Sequence, residues 1–426
     1  MNKKASLLFL FLILSFSFFV KGEIYSVKKI ELWKNGELRG ANIYQRKVYP
    51  ELDDNLMGNE YMGTPYTLDD FKRLRKAGAN YVNISCAGIF TEKPPYRLDR
   101  KSLGNLDRLI KLAKEADLFV VISFRTGPGR SEFTFFYGED TESDPDNGWF
   151  TPDYYNDEVW QSKEAQRAWA LMWRFVAERY KDSKVVVGYD LMVEPNSNDV
   201  LLDIWEPEDF YKVYKGTTYD WNSFYPNIVK SIRDVDPYTP ILIQPLSYGE
   251  IKWFKYMKII PFRNIVYTCH QYDPHVYTHQ EIKDNLTYPG YFDTDWDGIP
   301  ENFNEKWIED LMKKMSDFAR KNRLTIAINE YGGVRYAPGL SNFFKDMLNI
   351  FEKNKISHSI WMWYPDWKPW DFISEFNFLY GENPDNYSVV KNKISDVVFS
   401  FWEKNKYFPS NVRFTDKKKG GKGGRR

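Results

Sequence analysis

Eight short apolar runs alternate with stretches of helical spacing along this chain, and from Glu37 onward no linker interrupts the series. Strands buried on both faces read as continuous apolar runs, and uninterrupted strand–helix alternation builds a parallel sheet clothed in helices. The strands are read at 38–44, 80–85, 118–124, 185–194, 240–244, 264–270, 324–330 and 357–363, and the last three helices at 304–321, 342–352 and 387–402. Thr67 with Asp70 three residues on marks a helix start, and Gly78 closes that helix. Eight such units, with the long loops following strands, predict an α/β fold: a single-domain (β/α)8 barrel over residues 23–408. A doubly wound open sheet is the alternative, but no glycine-rich phosphate loop follows the first strand.

Two of these strands end in a glutamate. Val185, Val186 and Val187 rise through Gly188 and Asp190 to Glu194, where Pro195 withholds the next ladder hydrogen bond. Leu324 to Asn329 repeats the design and delivers Glu330, after which Gly332 and Gly333 let the backbone turn. The carboxyl ends of barrel strands are where chemistry is placed. The chain supplies its own controls, because Glu206-Pro207 and Asn59-Glu60-Tyr61 repeat the short motifs without an apolar strand in front. The strand carries the signal.

Charge and cysteine content narrow the classes. The 59 basic residues balance 59 acidic ones. Three basic residues lie in 1–22 and six in 417–426, so the body between them is strongly acidic, which argues against a nucleic-acid partner. Residues 1–22, with Lys3 and Lys4 before an apolar run, read as a secretion signal, the other reading being an uncleaved anchor. A cleaved signal implies a secreted or periplasmic protein with no later membrane segment. The Gly/Lys end, 409–426, reads as a disordered tail. Cys86 and Cys269 fall on opposite sides of the barrel and are not expected to pair. Four histidines without a Cys/His cluster give no support for zinc. Asp293-Thr294-Asp295-Trp296-Asp297-Gly298 opens like a calcium loop, but Asn304 holds its twelfth place and no entering helix is evident, so an acidic turn is the favoured reading. No cofactor or metal is expected.

Five ordered stretches resemble glycoside hydrolase family 5, the cellulase-like retaining enzymes. They are Val187 to Met192 with Glu194-Pro195, Ser231 to Pro245, His270-Gln271-Tyr272, Asn329-Glu330-Tyr331-Gly332 and Ile360-Trp361-Met362-Trp363. The similarity spans about residues 30 to 405. It implies Glu194 as general acid/base, with a raised pKa, and Glu330 as nucleophile. Tyr272 would hydrogen-bond Glu330, and His270 would line the acid/base side. Trp361 and Trp363 share one strand face, so at least one would floor the sugar site; Trp149, Trp253, Trp296, Trp367 and Trp370 would extend a stacking cleft collectively, with plain packing the favoured reading of any single one.

Three positions depart from the family pattern. Val193 stands where an Asn normally precedes the acid/base and contacts the sugar 2-hydroxyl. Asn83 replaces a strand-two Arg, and Arg125 replaces a strand-three His and would supply the missing cation. The resemblance implies a monomeric β-glycanase acting on β-1,4-glucan or mannan in endo mode. A silent glycan-binding protein and an exo-acting or transglycosylating enzyme are the alternatives.

Overall fold

The computed structural model describes residues 23–53, 55–136, 150 and 152–416, so the expected leader and the basic end from 417 lie outside the described residues. Eight parallel strands form the core: β1 Arg39–Lys47, β2 Tyr81–Cys86, β3 Phe119–Phe124, β4 Val186–Asp190, β5 Ile241–Ile243, β6 Ile265–Gln271, β7 Thr325–Tyr331 and β8 Ser357–Ile360. Each pairs with its neighbours in sequence, and β8 closes on β1 with His358, Ser359 and Ile360 opposite Arg39, Gly40 and Ala41. The sheet has no free edge, and the barrel reading holds.

Among the described residues, seven helices of nine or more residues pack around it: α1 Leu68–Lys76, α2 Arg100–Glu115, α3 Lys163–Tyr180, α4 Trp221–Arg233, α5 Glu305–Asn322, α6 Leu340–Lys353 and α7 Lys393–Trp402. Their starts are written in the sequence. Thr67 and Asp70 exchange side-chain bonds with each other's backbone N–H ahead of α1, and Ser162 and Asn304 cap α3 and α5. Three expectations need correction. The fifth unit has no long helix, only a turn at Leu246–Gly249 and a 3-10 helix at Ile251–Tyr256. There Ser247 and Tyr248 take positive φ, which interrupts any helix. The last helix begins at Lys393 rather than 387, because Asn392 caps it. Strand β8 ends at Ile360, three residues short of 363.

The barrel interior is layered. Its floor is apolar, with Tyr81, Phe119, Val121, Val187, Leu242, Val266 and Ala327 clustered with Trp33 from the short helix Lys29–Lys34. The Trp33 indole donates to the Val187 carbonyl at 2.9 Å. Gly188 is required here, since a Cβ would come within 2.8 Å of the Leu242 side chain and 3.4 Å of Trp33. Above the floor the layer turns polar: Asn42, Asn83, Ser123, Asp190, Gln244, Thr268, Asn329 and Ser359 are all buried. Buried polar groups must be satisfied, and the chemistry sits directly above this layer.

Beneath the floor, Tyr25–Val27 pairs in parallel with Val412–Phe414. Residues 409–416 therefore belong to the fold, and the boundary expected at 408 moves outward. Cys86 and Cys269 are both buried and unpaired with one another. Among the described residues no helix is long and apolar enough to cross a membrane.

Candidate active site

Two backbone irregularities aim the glutamates. Strand β4 stops at Asp190, and four residues later Glu194 sits at φ +51°, a left-handed conformation that costs a non-glycine residue about 1–2 kcal/mol. Two side chains hold it there. The Gln244 Oε1 accepts the Glu194 N–H at 3.0 Å, and the Arg130 guanidinium donates to the Val193 and Glu194 carbonyls at 2.6 Å each. On β7 the ladder to β6 shifts register between Ile328 and Glu330, so Asn329 bulges. The bulge would strand backbone groups, yet Thr268 Oγ1 accepts the Asn329 N–H at 3.0 Å and Ser359 Oγ donates to its carbonyl at 2.6 Å.

One buried carboxylate joins these two devices. Asp190 Oδ2 accepts from Gln244 Nε2 at 2.8 Å and from Asn329 Nδ2 at 2.9 Å. Burial pushes the Asp190 carboxyl up to about 7, against the His270 charge and these donors.

The two glutamates meet around His270. Its Nδ1 lies 2.8 Å from Glu194 Oε1 and 3.5 Å from Glu330 Oε1, and one carboxylate oxygen of each glutamate lies within 4.8 Å of the other. Tyr272 donates its hydroxyl to Glu330 Oε1 at 2.7 Å. Burial, with the Glu194 charge, lifts Glu330 to about 7. Burial also raises Glu194, but the hydrogen bond and charge of His270, with Arg125 and Arg130, outweigh it and hold Glu194 below the ordinary range. The expected raised pKa at Glu194 is therefore not found. His270, though desolvated, is lifted to about 9 by Glu330 and Glu194, so the cluster's extra proton rests on the imidazole. The same three donors could reach one cation, but it would have to displace that proton.

Arg125 stacks over Phe135 at 3.9 Å and lies 5.7 Å from the Trp361 ring, with its Nε donating to Glu132 at 2.8 Å. Its field reaches both glutamates. Trp361 and Tyr44 meet edge to face at 5.8 Å, and the Tyr44 hydroxyl donates to the same Glu132 oxygen at 2.9 Å. Arg125, Trp361, Tyr44 and Glu132 are nearly buried and pack as one unit beside the glutamates.

Other expected residues lie elsewhere. Trp363 is 3% exposed, and its indole donates to the Asp70 carbonyl beside Trp402 and Phe378, because strand alternation ends with β8 at Ile360. Asn83 is held inside the barrel between Asn42 and Ser123, at 2.5 Å from each. The Val193 side chain is 1% exposed, while its N–H bonds Phe124. Trp253 is a core residue, Trp367 binds the Leu56 carbonyl, and Trp149 lies outside the described residues. Trp296 is exposed at the tip of a hairpin formed by Gly290–Phe292 and Glu301–Phe303. Next to it, Asp293 accepts N–H bonds from Asp295 and Gly298, and carboxylate oxygens of Asp293, Asp295 and Asp297 lie within 4.8 Å of one another.

Sequence reasoning missed Arg130, Glu132, Gln244 and Tyr44. Arg130 follows the Gly127-Pro128-Gly129 turn, and a cation just after such a turn at a strand end was the available signal.

Comparisons with known proteins agree with this geometry. The sequence pattern of the cellulase family, glycosyl hydrolase family 5, matches residues 42–366. Endoglucanase C of Acetivibrio thermocellus is 20% identical over 348 residues, covering 74% of this chain and 88% of that protein. The endoglucanase Cel5A of the hyperthermophile Thermotoga maritima superposes with a TM-score of 0.58 at 18% identity, covering 87% of this chain and 100% of that one. The same enzyme in complex with mannotriose gives 0.56 over 87% and 100%. A closed barrel carrying a glutamate at the ends of its fourth and seventh strands, and matching this pattern over most of its length, belongs to the cellulase family, glycosyl hydrolase family 5.

Proposed function

We propose that this glycoside hydrolase is an exported endo-acting β-glycanase that cleaves β-1,4-glucan or mannan with retention of anomeric configuration. The observation that carries the mechanism is the carboxylate spacing. One oxygen of Glu194 and one of Glu330 lie within 4.8 Å of each other, which suits the two-step retaining route, with carboxyl groups about 5–5.5 Å apart, better than the wider gap of about 6.5–9.5 Å that inversion uses.

Glu330 attacks the anomeric carbon, and Glu194 protonates the departing oxygen. The proton that Glu194 delivers is held on His270 Nδ1, one 2.8 Å hydrogen bond away. Transfer along that bond leaves a neutral imidazole and a carboxylic acid facing the leaving group. Tyr272 steadies the Glu330 oxygen that will form the bond, and Arg125 keeps positive charge beside both carboxylates. Water then attacks the glycosyl-enzyme with Glu194 as base.

The substrate class is supported by the endoglucanase relatives and the mannotriose complex. Export is supported by the leader-like residues 1–22. Purified protein should release reducing ends from soluble β-glucans or mannans, with proton NMR of the first product showing the β-anomer. First-formed α-anomer would sink the retaining mechanism. Binding of these polymers without turnover would favour the silent glycan-binding reading.

A further inference from the structure

The segment after β6 makes one helical turn, His275–Thr278, and His279 closes it by donating its N–H to the His275 carbonyl at 3.0 Å. Residues four apart on a helix face the same way, and here the two imidazoles lie face to face with centroids 3.7 Å apart and planes 9° from parallel. Both side chains are exposed to solvent at the cleft rim.

The hydrogen bonds fix one ring's tautomer. The Thr278 hydroxyl has a single proton and donates it to the Tyr272 carbonyl at 2.5 Å. Its contact with His279 Nδ1, at 3.0 Å, must then have the histidine as donor. A neutral His279 protonated at Nδ1 keeps its lone pair on Nε2. A ring N–H anchored on an oxygen while the other nitrogen stays bare is the arrangement that orients metal-binding histidines.

We propose that His275 and His279 form a binding site for a divalent transition metal of the imidazole-seeking kind, zinc, copper or nickel. Two nitrogens on a tetrahedral zinc, each at about 2.0–2.1 Å, stand about 3.4 Å apart. Each lone pair lies in its own ring plane, so the stacked rings, 3.7 Å apart, must swing open about their side-chain torsions to converge on one ion, and both are exposed enough to do so. Water or a substrate hydroxyl completes the shell, since among the described residues no third protein donor is placed on the pair. The site has a route to the chemistry: His279 Nδ1 leads through Thr278 to the Tyr272 carbonyl, and the Tyr272 hydroxyl holds Glu330. A dication on the rim adds positive charge near both glutamates and fixes the segment that carries Tyr272, so an occupied site inhibits turnover reversibly.

The test is calorimetric titration of the full chain with zinc chloride and nickel chloride, without any sugar, beside His275→Ala, His279→Ala, Thr278→Val and Glu330→Gln. One equivalent should bind, with affinity lost in both histidine variants, kept in Glu330→Gln and lowered about tenfold or more in Thr278→Val. The exposed His275→Ala should fold and turn over as the parent does while resisting zinc inhibition. Binding that survives in both histidine variants, or that vanishes in Glu330→Gln, would place the metal elsewhere and overturn the proposal. An absence of binding by either metal would overturn it as well. The titration needs no activity, so its outcome is independent of the glycanase reading.

Discussion

Asp190 and Asn329, on β4 and β7, meet across the barrel at 2.9 Å, and the oxygen that accepts this bond also accepts one from Gln244. Gln244 in turn holds the Glu194 backbone, and Asn329 is the bulged residue just before Glu330. A single carboxylate below the site therefore sets where both glutamates stand. Asp190→Ala leaves two buried amide donors without an acceptor and should cost about 2–4 kcal/mol of stability. A glutamate displaced by even 1 Å costs on the order of 100-fold in rate, so kcat should fall by about that much with KM little changed. Asp190→Asn, which keeps an acceptor, should retain most activity. Chemical denaturation and steady-state kinetics on soluble β-glucan check both variants.

The two glutamates should fail differently. Glu330→Gln removes the attacking group and should abolish turnover on every substrate. Glu194→Gln should lose about 10²–10⁴-fold on polymers. It should lose far less on aryl glycosides whose leaving group needs no proton, and added azide should restore rate as a β-glycosyl azide forms. Equal loss on both substrate types would contradict the assigned roles.

A bell-shaped dependence of kcat/KM on pH follows from the cluster's proton. Glu330 must be ionised to attack, and with its carboxyl lifted to about 7, activity should fall as pH drops through 7. His270 must hold the proton passed to Glu194, and with its value near 9, activity should fall again as pH rises through 9. Both limbs belong to the coupled cluster. His270→Asn should remove the alkaline limb in a pH–rate series.

The two tryptophans that follow the eighth strand differ in their bearing on binding. Trp361 stands beside Arg125 near the glutamates but is itself only 6% exposed, so Trp361→Ala should raise KM for β-glucan several-fold or more and also lower the melting temperature. Trp363 is packed among Trp402 and Phe378 and donates to Asp70. Its loss should cost about 3–5 kcal/mol while the KM of the remaining folded enzyme stays put. Differential scanning fluorimetry with kinetics distinguishes the two.

Acid should destabilise the fold through His358. This fully buried ring is pushed down to about 4 by desolvation, against the Glu352 carboxylate 3.7 Å away. Its folded value lies below the ordinary histidine value of 6.5, so the unfolded chain binds more protons between pH 6.5 and 4. The stability it contributes is complete above 6.5 and is lost as pH falls toward 4, amounting to about 3 kcal/mol at most. Urea melts of His358→Phe should show a flatter slope over that interval than the parent.

The alternation of apolar runs and capped helices made the barrel legible, because burial on both faces and helix capping are local properties of the chain. Glu194 and Glu330 were legible for the same reason: each ends an apolar run that Pro195 or Gly332 stops. What surrounds them was not. Trp363 was read onto the cleft face because alternation was carried past Ile360, where the ladder ends. Asn83 and Val193 occupy places that the pattern assigns to the sugar site, whereas layer depth in the barrel decides which inward residues reach the mouth. The proton distribution was equally hidden, since it depends on His270 lying between two carboxylates contributed by distant strands. Arg130 grips the Glu194 carbonyl from a loop, and no periodicity marks such a residue.

The parallel pairing of Tyr25–Val27 with Val412–Phe414 brings the first and last described segments together under the apolar floor, at the pole opposite the glutamates. Anything joined to either end, whether a surface, a second domain or a bead, would grip the barrel by its base and leave the cleft pointing away from the attachment. The same closeness means that a short peptide joining the two ends, with a new opening cut in a distal loop, should leave both glutamates where they are.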